Sequence, residues 1–449
     1  MSVDLGVPDL SPLPGLLRDP SLWAQLEREL DRGRYLRSEG VSSLLGPPQV
    51  LSGELLGRCR QVVASFDAFY RHLVEAHLHA PARSQGILRD PFFDLALDAE
   101  PRLPTLLPLS RLDCVLTQEG DLRVIEINPV GICTIHLRAA ACLARALARR
   151  RLDEDASRVD TLHGMAVDSF RRFHQEAVPD APAGHRLRVG FLCEANRFRG
   201  TRRTWRHAFS ARGFDFLDGQ AHQVEASPEG LLLRGQKVDL LWGDYLFYLA
   251  YQHARYPETR FESPMGDFAA ARRQAERLLT DGAVLETFRQ RQVAVLSPAR
   301  AYLALSKGLL ARAHRPDPDL PEELRASLEP LVARTYDVED RLRGTLSVAQ
   351  AIRDREALVL KPCRFGGGHG VELGRETPAD RWGDRLRAIW EDHEWVLQHY
   401  HPPRRSPDGR VLSLGLHNYG GRLGGVTVRA GESLVVSARR SRLIPVVHE

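Results

Sequence analysis

The order of apolar patterns along the chain predicts an α/β (α+β) fold behind a helical N-terminal region. Residues 1–100 carry apolar side chains at helical spacing in PSLWAQLERELDRG and LSGELLGRCRQVVASFDAFYRHLVEAHLH. Residues 107–130 switch to strand character, and from His185 onward strand-like runs alternate with helix-compatible ones.

Taken in order, LRAAACLARALARRRL returns to helix and closes a unit over 101–150. A strand in HRLRVGFLCE opens a small α/β unit over 151–300, with VDLLWGD and QVAVLSP as further strands. The unit 301–410 begins with a helix in ARAYLALSKGLLARAH and crosses the Pro- and acid-rich surface loop RPDPDLPEEL. It continues through the strand ALVLKP, a glycine loop, GVELG, a helix near PADRWGDRLRAIWED and the strand EWVLQHY. The last unit, 411–449, consists of short strands in VLSLGLHNY, LGGVTVRAG and SLVVSARR.

The 449 residues are enough for two or three domains, and 43% hydrophobic with 27% charged residues is an ordinary globular balance. No apolar run approaches the roughly 18–20 residues of a membrane span, and MSVDLGVPDLSPLPG lacks the pattern of a secretory signal. Cys59, Cys114, Cys133, Cys142, Cys193 and Cys363 show no CxxC pairing, so reduced thiols in a cytoplasmic protein are expected. Basic residues are interleaved with acids, without the concentrated basic domain of a nucleic-acid binder. The densest cluster, Arg197, Arg199, Arg202, Arg203 and Arg206, reads either as solvated surface or as an anion-facing substrate loop. Only three of the 62 basic residues are lysines, Lys237, Lys307 and Lys361. A lysine retained against that bias marks a place for a compact point charge, with chance survival the competing account and the accepted one for Lys237.

The most informative segment runs from Leu358 to Val371. An apolar strand ends in Lys361-Pro362, and Gly366, Gly367, Gly368 and Gly370 follow around His369 before a second strand. Glycine lets the backbone adopt positive φ and turn N–H groups toward a bound anion. The segment is neither a Walker A loop nor a dinucleotide fingerprint, since both open a helix. It suits a flap over a triphosphate; the alternative is a glycine-rich surface hairpin.

A second segment, RLDCVLTQEGDLRVIEINP over 111–129, reads as a hairpin turning at Glu119-Gly120. With those two residues as the loop, Asp113 faces Glu126 and Arg111 faces Asn128, all four on one side of the sheet, while Ile125 and Ile127 point to the core. Opposed carboxylates roughly 5 Å apart repel. One of the pair should then have a raised pKa in the absence of metal, and replacing Asp113 with Asn should cost no stability. Mg²⁺, held by one or two carboxylates with substrate phosphates, would compensate them, and Asn128 would add an oxygen. The alternative is a solvated polar face on which Arg111 neutralises both acids.

These residues resemble the circularly permuted ATP-grasp ligases, the group of glutathionylspermidine synthase and related carboxylate–amine ligases. R-x-D followed by IEINP-x-G is similar to their metal-binding end, LKP-x-x-x-GGG-x-GV to their phosphate flap, and WVLQHY to the hinge strand that meets adenine. The metal motif precedes the flap, which is the permuted order. The resemblance implies that Asp113, Glu126 and Asn128 bind Mg²⁺ (two ions, with Mn²⁺ as a possible substitute). It implies that Lys307, Lys361, Gly366, Gly367, Gly368, His369, Gly370, Gln398, His399 and Tyr400 bind ATP, and that Arg429 faces the transferring phosphoryl group. The hinge departs from the family by carrying Gln398-His399 where an acid usually precedes the aromatic. The order also implies that 411–449 pairs with the hairpin and that 151–300 is a pre-ATP-grasp-like domain.

The activity so implied joins a small-molecule carboxylate to an amine, amino acids or short peptides among them, through an acyl phosphate, releasing ADP and phosphate. Arg111, Thr134, His136, Arg197 and Arg199 are candidate substrate contacts. A phosphotransferase on the same site and a non-catalytic nucleotide binder are the competing readings; neither a nucleic-acid nor a membrane partner is expected.

Overall fold

The computed structural model describes residues 49–79, 91–129, 166–182, 184–193, 199–243, 246–247, 250, 268–406, 409–436, 441–444 and 446–448, with residues 21, 24, 25 and 28. The helix expected over LRAAACLARALARRRL lies outside them, as do Thr134, His136 and Arg197. The described residues form a mixed α/β fold with several sheets, of which the first and third described below position the site.

The first is a five-stranded antiparallel sheet in the order Ser441–Ile444, Leu423–Gly431, Val411–Asn418, Ser110–Leu116, Leu122–Asn128. Two strands from early in the chain and three from its last forty residues share one hydrogen-bonded surface, so residues after 410 pair with the hairpin. Gly415 pairs with Asp113 and His417 with Arg111. One face packs on the long helix Gly53–His79, where Phe66, Phe69, Tyr70 and Leu73 join Leu112, Ile127, Leu414 and Val428 in a buried core. Period two puts Arg111, Asp113 and Val115 on the other face. The strand expected in SLVVSARR does not form over Ser433–Val436; the last strands are Ser441–Ile444 and Val446–His448. The latter pairs in parallel with Gln49–Leu51.

The second sheet is parallel, in the order Ala294–Val295, Leu240–Trp242, Arg188–Leu192, Asp215–Gly219. Its first three strands lie where continuous apolar runs predicted them, as expected for strands covered on both faces. Asp215–Gly219, with two acids in five residues, and the meander Val224–Ser227, Gly230–Leu233, Gln236–Lys237, cut into short pieces by turns, were not read as strands.

The third sheet is antiparallel, in the order Thr335–Tyr336, Trp395–His399, Leu358–Pro362, Glu372–Leu373. The helices Val348–Arg353 and Ala379–Ile389 cover it, and Trp382 is fully buried with its indole N–H donated to Ala351 O at 3.1 Å. Val124 of the hairpin bridges to Val332, and Ala333 N–H donates to Val124 O at 3.0 Å, so the first and third sheets meet along one seam.

ARAYLALSKGLLARAH is not the single helix its periodicity suggests. A helix spans Ala299–Leu303, and a 3₁₀ segment starts at Lys307 and runs to His314. Lys307 N–H donates to Cys363 O at 2.7 Å, a tertiary partner that takes the place of the next helical carbonyl. Both pieces are buried, so the apolar pattern runs through the break unchanged.

Glu100 anchors the start of this segment. Its carboxylate accepts from Ala299 N–H at 2.6 Å and Arg300 N–H at 3.4 Å, and Arg300 Nε lies 3.7 Å away, with both side chains 4% exposed. Replacing Glu100 with Ala strips a buried guanidinium of its counter-charge. A loss of about 3–5 kcal/mol in urea unfolding is expected. A loss below about 1 kcal/mol, within the range of a surface pair, would show that the clamp contributes little.

Candidate functional site

The hairpin turn is one residue longer than the Glu119-Gly120 pair suggests. Thr117 N–H donates to Asp121 O at 2.8 Å and Gly120 N–H to Thr117 O at 3.0 Å. Gln118, Glu119 and Gly120 therefore form a three-residue loop with Gly120 at φ 89°. Near the turn, pairing is accordingly displaced by one, with Val115 opposite Arg123 and Leu116 opposite Leu122. A bulge at Ile125 displaces it back, since Cys114 pairs with Val124 while Asp113 pairs with Glu126 and Arg111 with Asn128. The predicted neighbours are thus cross-strand neighbours through two deviations that cancel. The bulge also turns Ile125 into the cleft, whereas Ile127 remains in the core as expected.

Cations of the protein surround the two acids. Arg111 grips Asp113 through Nε–Oδ1 at 2.5 Å and Nη2–Oδ2 at 2.9 Å. Arg429 Nη1 stands 3.8 Å from Asp113 Oδ2, and Lys307 Nζ 3.3 Å from Glu126 Oε2. Asn128 donates from Nδ2 to Asp113 Oδ2 at 3.2 Å and reaches Glu126 Oε1 at 3.5 Å. Burial pushes the Asp113 carboxyl up, but Arg111 and Arg429 outweigh it and hold the group below its ordinary value. The upward shift expected from carboxylate repulsion therefore does not occur at Asp113. Gly415 makes the Arg111 grip possible: a Cβ there would meet Arg111 Cδ at 2.8 Å and Thr427 Oγ1 at 2.7 Å.

Across the cleft, Lys361 ends its strand buried, with Nζ donating to Gln398 Oε1 at 2.6 Å. Burial pushes its ammonium down to about 8, with Glu126 pulling up and Lys307 down. Gly367, Gly368 and Gly370 have φ of 72°, 76° and 68°, the region glycine favours, and Gly368 lines the cleft. Lys307 Nζ also donates to Phe365 O at 2.7 Å, tying the loop root to Glu126, and the His369 ring stands edge-on to Phe365. His399 Nε2 lies 3.3 Å from Tyr336 Oη, and Arg375 lies over the Tyr400 ring at 4.2 Å.

A cleft of about 820 Å³, open to solvent, is lined by Asp113, Glu126, Lys361 and Gly368 among these groups. Asp113, Glu126, Lys361 and Gln398 form its polar end; Val115, Ile125, Val359, Val371, Leu373 and Leu412 form an apolar wall, with His399 and Tyr400 beside it. The wall was not singled out in the sequence. Val115 and Val359 lie two residues from Asp113 and Lys361 on the same strands, so alternation alone could have placed them there. Arg199 opens the helix Arg199–Ser210, and its side chain lies outside the described residues. Arg202 and Arg206 of that helix both pair with Asp218.

Among the described residues no group of three or more His, Cys, Asp or Glu could hold a metal ion. The set Asp113, Glu126 and Asn128 nevertheless fits Mg²⁺ in donor chemistry, because it offers hard oxygens. An ionised carboxylate has about four lone-pair sites, so Asp113 retains capacity beyond the grip of Arg111. Asn128 joins the set with its amide rotated by half a turn.

No protein-family model and no curated protein matches the chain. Among solved structures it is similar to a glutathione synthetase-like effector from Globodera pallida in its apoform. The TM-score is 0.56 at 13% identity, over 97% of this chain and 99% of that one. A putative gamma-glutamylcysteine synthetase from Methylobacillus flagellatus KT aligns over 89% of each chain at 10% identity, with a TM-score of 0.42. The first likeness shows that the chain shares the fold of that effector.

Replacing Asp113 with Asn leaves Arg111 and Arg429, 8% and 12% exposed at their side chains, facing a neutral amide. A stability loss of about 3 kcal/mol or more at pH 7 is expected, the reverse of what carboxylate repulsion alone predicts. A depressed folded-state pKa stabilises above the unfolded value near 4 and loses that contribution as pH falls through the folded value. The gap between the urea midpoints of the two proteins should therefore be full at pH 7 and narrow as pH falls below about 4. Equal midpoints at pH 7 would remove Asp113 from this account.

Proposed function

We propose that this chain is an ATP-dependent carboxylate–amine ligase working through an acyl phosphate, with ATP-grasp elements in circularly permuted order. The observation that carries the reading is the convergence of Asp113, Glu126 and Lys361 on one cleft from opposite halves of the chain. The fold shared with a glutathione synthetase-like effector supports it. Strands after residue 410 completing the hairpin sheet support the permuted order.

In this reading the nucleotide base lies along Val359, Leu373 and Leu412, and its phosphates reach Lys361, Lys307 and the Gly366–Gly370 loop. Asp113, Glu126 and Asn128 hold Mg²⁺, which when bound supplies positive charge to the phosphate oxygens. The substrate carboxylate displaces ADP from the γ-phosphorus, and an amine then displaces phosphate from the acyl carbon. Lys361 and Arg429 stabilise charge on the transferring phosphoryl oxygens, so that positioning and electrostatics do the work without a protein nucleophile. Arg111, fixed by Asp113, orients the carboxylate that comes between them. Amino acids and short peptides are the substrate class to test.

Turnover with a pooled amino-acid and peptide panel should release ADP and phosphate only when both a carboxylate and an amine are present. AMP as product would exclude the acyl-phosphate route, and amine-independent ADP release with a phosphorylated product would mark a phosphotransferase.

Nucleotide affinity should fall as pH rises through about 8, because Lys361 there loses the charge that faces the phosphates. Lys361→Met should bind ATP weakly and without that pH step. Lys237→Met, at an exposed position on the meander, should match the wild type in both respects. A pH step that persists in Lys361→Met would assign it to another group.

A further inference from the structure

We propose that Gln398 is a positioning residue for Lys361, holding the ammonium at the cleft by a neutral acceptor so that its full charge faces an anionic ligand. The inference rests on the nucleotide reading above and deepens it.

Register brings the two side chains together. Gln398 pairs directly with Val359 on one side and Thr335 on the other, and Lys361 lies two residues beyond Val359. Gln398 and Lys361 are thus diagonal neighbours on one face, within reach of long side chains. Gln398 is 1% exposed, and its amide is held at three points. Nε2 donates to Thr335 Oγ1 at 2.9 Å and to Ile125 O at 3.4 Å, while Oε1 accepts from Lys361 Nζ at 2.6 Å.

Chemistry fixes which way the amide points. The Thr335 hydroxyl spends its one proton on Ala333 O at 2.8 Å, so toward Gln398 it only accepts. The Ile125 carbonyl only accepts, and it is available because the bulge leaves that residue out of the ladder. The Lys361 ammonium only donates. All three partners demand the same orientation, with oxygen toward the lysine. Among the described residues Lys361 has no carboxylate within ion-pair distance. Glutamate at 398 would have nearly the same shape, but its charge would cancel that of Lys361 and both donors would be lost.

Binding of ATP with Mg²⁺ to the full chain, measured by isothermal titration calorimetry, tests this in a double-mutant cycle. Gln398→Glu and Lys361→Met should each weaken binding about tenfold or more. The double variant should bind no worse than Lys361→Met, because Gln398 acts through the lysine. Thermal melts run in parallel establish that each variant is folded. Thr335→Val provides a second route should Gln398→Glu fail to fold. By freeing the amide to turn, it should weaken binding in the wild-type background and leave Lys361→Met unchanged. Additive losses in either cycle would overturn the proposal and give Gln398 a merely structural role. Unweakened binding in folded Gln398→Glu would also overturn it. A wild type that binds no nucleotide would overturn the nucleotide reading and this proposal with it.

Discussion

Two carboxylates placed face to face on a half-buried hairpin must be given positive charge, and much of the site's architecture follows from that requirement. Asp113 receives it from Arg111, its neighbour two residues away, and from Arg429 on the second strand over. Glu126 receives it from Lys307, which the chain delivers by ending a helix at Leu303 and starting a new segment on the carbonyl of Cys363, just past the strand before the glycine loop. Each cation comes from a different part of the sequence, so the acids bring four segments to one point. Isolated buried charges cost far more than paired ones, and the pairs therefore decide geometry even where they add little net stability.

Much of this was legible in the sequence, but unevenly. The pairing of Asp113 with Glu126 followed from alternation and a turn signal, even though the turn length was misread, because the bulge at Ile125 restored the register by the time it reached the acids. The diversion of Ile125 from core to cleft was not legible, since no local pattern distinguishes a bulged residue from a core one. Neither was the break before Lys307, because both halves of the segment are buried and periodicity reports burial. The glycine loop, by contrast, was read from composition alone, as only glycine takes positive φ freely at three of five neighbouring positions.

Long-range pairing was the hardest part to extract from residues. The apolar parallel strands at 188–192, 240–242 and 294–295 declared themselves, while the turn-broken meander before the second of them did not. That the strands after residue 410 join the hairpin came from the order of motifs and not from their chemistry, since a short alternating strand carries no mark of its partner. The orphaned preference for lysine at two positions was the one compositional signal that reached across the chain. Both of those lysines face the acid pair's end of the cleft, and the third is on an exposed strand far from such work.

The five-stranded sheet has a consequence for how the molecule is made. Its two early strands leave the ribosome long before Val411–Asn418, the neighbour that Ser110–Leu116 needs. At a synthesis rate of about 5–20 residues per second, that edge waits on the order of fifteen seconds to a minute for its partner. During this interval a strand carrying Leu112, Cys114 and Leu116 on one face has an open hydrogen-bonding edge, which is the feature that recruits foreign strands. Arg111 and Asp113 on the opposite face already neutralise each other within that single strand, whereas Glu126 on the second strand waits for Lys307. Completion of this sheet is thus a late, non-local event, and anything that shields the edge during synthesis favours the folded protein.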